Sequence, residues 1–194
     1  MVGYESHSRF SLKESIAFNL AVVEFIRSKH VGDVVLVANW SGYMTIDGGT
    51  VRLRRGLLDT INALKETGTR IWLMRQVPQQ RWNVPNALAF AVWHGGDPKE
   101  LGLPLAEHRE AYCLQDPIFD GLAPKFPGVT ILDPTDLFVS TNSLCRVAEG
   151  GKALYCDTGH LTVAGAMELR PLFEPIFGGM GRASAPVPDV SHHH

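Results

Sequence analysis

Three short, unbroken apolar runs, at residues 33–38, 70–74 and 129–132, alternate with longer stretches whose apolar residues recur at helical spacing. A run without polar alternation reads as a strand buried on both faces, as in a parallel sheet. Residues 12–29 carry Ile16, Leu20, Val23, Phe25 and Ile26 behind Ser11 as N-cap. Leu53, Leu57, Leu58, Ile61 and Leu64 form a strongly amphipathic helix closed by Gly68. A weak helix follows through Phe90, residues 106–123 read as a helix broken near Pro117, and residues 162–177 as a C-terminal helix. Parallel neighbours need crossovers, and right-handed crossovers put helices on both faces of the sheet. The expectation is therefore an α/β fold with functional groups gathered where the strands end. Asn39-Trp40-Ser41, residues 76–85 and Asp133 occupy those places.

At 194 residues and 45% hydrophobic, the chain is long enough for one buried core, and no shift in composition divides it. Residues 11–180 are expected to form one domain, with a flexible N-terminus at 1–10. The Ser/Ala/Pro-rich segment 181–194 ends in three histidines and reads as a disordered tail, a tag remnant being one origin. Lys+Arg 18 against Asp+Glu 20, interspersed, gives a net charge of −2 and argues against nucleic acid as a partner. Arg52, Arg54 and Arg55 read as a solvated helix face. No apolar run approaches the roughly 20 residues that span a membrane, and residues 1–10 have no signal-peptide core. As written, the chain is expected to be cytoplasmic if made alone.

The chemistry concentrates in Asp157-Thr158-Gly159-His160. The spacing lets Asp157 accept the imidazole Nδ1–H and leaves Nε2 of His160 free as a general base toward a hydroxyl. The alternative is an aspartate capping the next helix beside a packed histidine. A metal site built from Cys156, Asp157 and His160 is disfavoured, because adjacent Cys and Asp side chains do not easily reach one ion together. No metal and no cofactor are expected. Cys113, Cys145 and Cys156 make neither a CxxC pair nor a zinc knuckle, which leaves one disulfide plus a thiol, or three reduced thiols.

Four blocks then occur in order: Asn39-Trp40-Ser41-Gly42-Tyr43; Val77-Pro78 with Val84-Pro85; Asp133-Pro134-Thr135-Asp136-Leu137-Phe138; and Leu154-Tyr155-Cys156-Asp157-Thr158-Gly159-His160-Leu161-Thr162. Together they resemble the SGNH domain fused to the C-terminus of multi-pass bacterial membrane O-acyltransferases, which modify cell-surface polysaccharides. The similarity covers residues 18–173. It implies a three-layer, SGNH/flavodoxin-like parallel sheet and a serine esterase or acyltransferase acting on an acylated glycan. It also implies a periplasmic or extracellular, membrane-attached setting. Asp157 and His160 correspond to the family's orienting acid and base, and Asn39 falls near its oxyanion-binding asparagine. Trp40 and Trp82 are possible glycan contacts, with packing over a core edge as the alternative.

The resemblance also implies that a first strand, and a Gly-Asp-Ser block carrying the nucleophile, are absent, so that the domain is N-terminally truncated. Two serines are left as candidates. Ser6, in Gly3-Tyr4-Glu5-Ser6-His7, has only Met1 and Val2 before that block, too few for a strand. Ser41 follows a strand but lacks the strained elbow of another hydrolase class. The family's disulfide near residues 136–145 is half lost, with Val139 where a cysteine is expected, and a Cys145–Cys156 pairing stays open. The missing strand would leave residues 34–38 as an exposed sheet edge, which predicts a homodimer through that edge or poor solubility. The partner is then either the acylated glycan or the missing N-terminal acyltransferase segment. A non-catalytic remnant or interaction domain is the alternative.

Overall fold

The computed structural model describes residues 12–45 and 47–178. In chain order these form α1 (Leu12–Ser28), β1 (Asp33–Leu36), α2 (Trp40–Met44), α3 (Gly49–Lys65), β2 (Arg70–Met74) and α4 (Val84–Trp93). There follow β3 (Gly102–Pro104), α5 (Leu105–Tyr112), α6 (Asp116–Asp120), β4 (Val129–Leu132) and α7 (Thr135–Phe138). The remainder is β5 (Leu144–Arg146), β6 (Ala148–Glu149), β7 (Lys152–Ala153), α8 (Val163–Glu168) and α9 (Arg170–Phe177). Residues 1–11 and 179–194, and with them Ser6, lie outside the described residues.

The three apolar runs are the three strands of a parallel sheet ordered β1-β2-β4, with Val34 opposite Ile71 and Ile71 opposite Val129. Strand side chains alternate faces, and this divides the core in two. Ile71 and Leu73 face one layer with Ile26 of α1, the stripe Leu53, Leu57, Ile61 and Leu64 of α3, and Phe119 of α6. Trp72 and Met74 face the other, with Val84 of α4, Phe138 of α7, Leu154, Tyr155, and Leu169 and Ile176 around α9. The fold is α/β, with helices on both faces.

The structure departs from the sequence expectation in two places. The first strand ends at Leu36 rather than Ala38. The C-terminal helix is two helices meeting at Leu169, because Pro171 stands in the first turn of α9 and cannot donate a backbone N–H to the turn before it. Residues 152–153 join no parallel sheet. They pair antiparallel with β6 across Gly150 and Gly151, whose φ values of 55° and 75° suit a two-residue hairpin turn. A second small antiparallel pair, β3 with β5, sits beside it.

Among the described residues β1 pairs only with β2, so its other edge is open. Val37 just beyond it is 58% exposed, and Phe18 and Phe25 of α1 are also exposed. The cysteines are all free, Cys113 and Cys156 exposed and Cys145 buried, so no Cys145–Cys156 bond forms.

Candidate active site

Tyr155 and Leu161 bridge across a tight turn, and the Cys156 N–H donates to the His160 carbonyl at 2.8 Å, so residues 157–160 form its tip. Within it, Asp157 Oδ1 accepts the N–H groups of Gly159 and His160, each at 2.7 Å. Asp157 Oδ2 lies 2.6 Å from His160 Nδ1. The Gly159 N–H, then the His160 N–H, then the imidazole favour the carboxylate, and its pKa is pushed down to about 2. Asp157 thus stays ionised and holds the ring with Nε2 turned outward. The His160 side chain is 85% exposed.

The turn is clamped from three sides. Thr162 caps α8 by accepting from the Gly165 N–H at 3.2 Å, and its hydroxyl donates to the Ala153 carbonyl at 2.7 Å. The Gln80 N–H donates to the Thr158 carbonyl at 2.7 Å, and the Val84 N–H to the Asp157 carbonyl at 3.2 Å. The loop after β2 therefore carries the dyad as much as the dyad's own flanks do.

Asn39, just past β1, is the N-cap of α2. Its Oδ1 accepts from the Gly42 N–H at 3.2 Å and from the Ser41 hydroxyl at 2.9 Å. That leaves its Nδ2 hydrogens as the polar atoms the side chain offers. Asn39 and His160 line one groove of about 470 Å³, with Gln76, Gln79 and the apolar Val37 and Phe173. A side-chain amide and an imidazole therefore share one groove at the strand ends.

The other sequence candidates fare differently. Trp40 is 3% exposed, packs edge-on against Phe119, and donates its indole N–H to the Met74 carbonyl at 2.8 Å. It is a core anchor with no face for a sugar, which corrects its assignment as a glycan contact. Trp82 is 40% exposed but lies outside the groove lining. The Ser41 hydroxyl is committed to Asn39, not to His160. Asp133 accepts the Thr135 N–H at the start of α7 and faces Arg75, which also pairs with Asp116 and Asp120. Gln76, Gln79 and Gln80 were legible only as part of a polar loop, because their roles depend on partners distant in sequence.

A family model described as SGNH domain (fused to AT3 domains) matches residues 2–175. The chain belongs to this family. Among solved structures it is similar to the periplasmic domain of a lipopolysaccharide acetyltransferase from Salmonella ser. Paratyphi A. The identity is 21%, covering 92% of this chain and 67% of that one, with a TM-score of 0.68. The SGNH chain thus shares the fold of an acyltransferase domain. A putative platelet activating factor from Streptococcus pneumonia also matches, at 12% identity, 79% and 67% coverage and a TM-score of 0.48. No curated protein matches. Among the described residues no helix is long and apolar enough to cross a membrane.

Proposed function

We propose that this SGNH domain is a serine esterase or O-acyltransferase module for acyl esters of cell-surface glycans. In this reading the attacking serine comes from a segment that adds to the open edge of β1. The carrying observation is the Asp157–His160 pair at 2.6 Å, with Asn39 on the same groove. The serine hydroxyl gives its proton to His160 Nε2 as its oxygen bonds to the ester carbon. The Asn39 Nδ2–H, with backbone N–H groups, holds the oxyanion that forms. Imidazolium then protonates the leaving alkoxide, and the acyl-serine passes its acyl group to a sugar hydroxyl or to water. Asp157 keeps the ring oriented and stabilises its charge throughout.

The uncharged lining supports a glycan acceptor, since Asn39, Gln76 and Gln79 carry amides and Arg75 is engaged by three carboxylates. The second reading is a non-catalytic interaction domain that keeps the Asp157–His160 turn without a serine to serve.

A fluorophosphonate probe separates the two. The chain and its in-frame upstream extension are each treated beside His160→Ala, and adducts are mapped by mass spectrometry. We expect a His160-dependent adduct on an upstream serine in the extended polypeptide and none on the chain alone. An adduct on Ser6 or Ser41 would show that the chain is self-sufficient. Its absence from both polypeptides would leave the interaction domain.

A further inference from the structure

Residues 76–80 touch both halves of the groove. Gln76 Oε1 accepts the Ser41 N–H at 3.0 Å, across 35 positions of sequence. Ser41 is the second residue of α2, so its N–H is a first-turn donor with no partner inside the helix. The next donor, on Gly42, goes to Asn39 Oδ1. Two side chains from different strand ends therefore divide the capping of one five-residue helix. From its other amide atom, Gln76 Nε2 donates to Gln79 Oε1 at 3.4 Å. Gln79 lies beside Gly159, where an added Cβ would stand 3.6 Å from Gln79 Cγ. Gln80 completes the span through Thr158.

We propose that Gln76 is a positioning residue. It ties the Asn39 turn to the end of β2 and so sets where Asn39 Nδ2 stands relative to His160. This rests on the reading of Asn39 as the oxyanion donor. The physical case is one of tolerance. An oxyanion donor must be held to within about 0.5 Å by groups that are themselves locked, and Asn39 sits on an exposed turn. The Trp40 indole anchors the apolar side of that turn, and Gln76, from the groove side, accepts its first-turn Ser41 N–H. With alanine at 76 the Ser41 N–H faces water and the turn loses its groove-side restraint. Glutamate keeps an acceptor at the same reach and gives up only the long Gln79 contact.

The test is hydrogen exchange at the Ser41 amide, read by NMR together with the Asn39 side-chain amide resonances, in wild type, Gln76→Ala and Gln76→Glu. Gln76→Ala is expected to speed Ser41 exchange on the order of tenfold, the loss of one hydrogen bond, and to shift the Asn39 side-chain amide resonances as the turn loosens. Gln76→Glu is expected to restore both, while the thermal midpoint of all three stays together. Unchanged Ser41 protection and Asn39 resonances in Gln76→Ala would overturn the proposal. So would a failure of Gln76→Glu to rescue them. No turnover is involved, so a failed labelling experiment leaves this result readable, and the reverse also holds.

Discussion

The carbonyl oxygen of Leu154 stands closer than 3.0 Å to the place a Cβ on Gly165 would occupy. Leu154 leads into the dyad turn and Gly165 lies in the first turn of α8, which leaves it. The absent side chain lets the helix close on the strand-like lead-in, while Thr162 accepts the Gly165 N–H and donates to Ala153. Gly165→Ala must push backbone against backbone. Such overpacking costs about 1–3 kcal/mol. For a domain of this size a 2 kcal/mol loss lowers the melting temperature by about 4–8 °C. A thermal midpoint equal to wild type would mean that α8 does not close on Leu154 in solution.

Asp157 supplies a pH signature of the dyad turn. Its carboxyl has a folded-state pKa of about 2 against an ordinary 3.8, set mainly by the Gly159 and His160 backbone donors. A depressed carboxyl adds stability that is complete above its unfolded value and is lost as pH falls through the folded one. The turn should therefore hold down to about pH 4 and open between there and about pH 2. Carbon-detected NMR titration of the Asp157 carboxyl is expected to give a midpoint near 2. A midpoint at the ordinary 3.8 would show that the Gly159 and His160 donors are not aimed at it. In Gly165→Ala the same midpoint is expected to rise, which links the packing defect to the site.

Much of this arrangement was legible in the sequence, for reasons that also explain what was not. The runs at 70–74 and 129–132 announce strands because a parallel strand is apolar on both faces, and Leu53, Leu57, Ile61 and Leu64 announce a helix by spacing alone. Asp157 and His160 were legible because their whole geometry is contained in four residues. Trp40 was misread because what decides its role, the Met74 carbonyl, lies 34 residues away. The β3–β5 pairing was invisible for the same reason, joining Leu103 to Cys145. Pro171 and Gly150-Gly151 are different: the signals for the α8–α9 break and the hairpin were local and present.

The open edge of β1 carries the last prediction. Its outer backbone groups have no partner strand among the described residues, and Val37, the residue after its end, exposes apolar surface. Unpaired backbone beside apolar side chains is a template for another strand, and a two-fold axis lets the same edge meet itself. We propose that the chain alone dimerises this way at micromolar concentration, giving twice the monomer mass by light scattering. Val37→Lys should yield monomers with little change in melting temperature, because the side chain it replaces is 58% exposed. The same edge is the one assigned above to the serine-bearing segment, so the two partners compete. An upstream-extended polypeptide that fills the edge from its own chain is therefore expected to be monomeric. A monomeric wild-type chain at the same concentration would sink the dimer. A dimer that persists in Val37→Lys would move the interface away from β1.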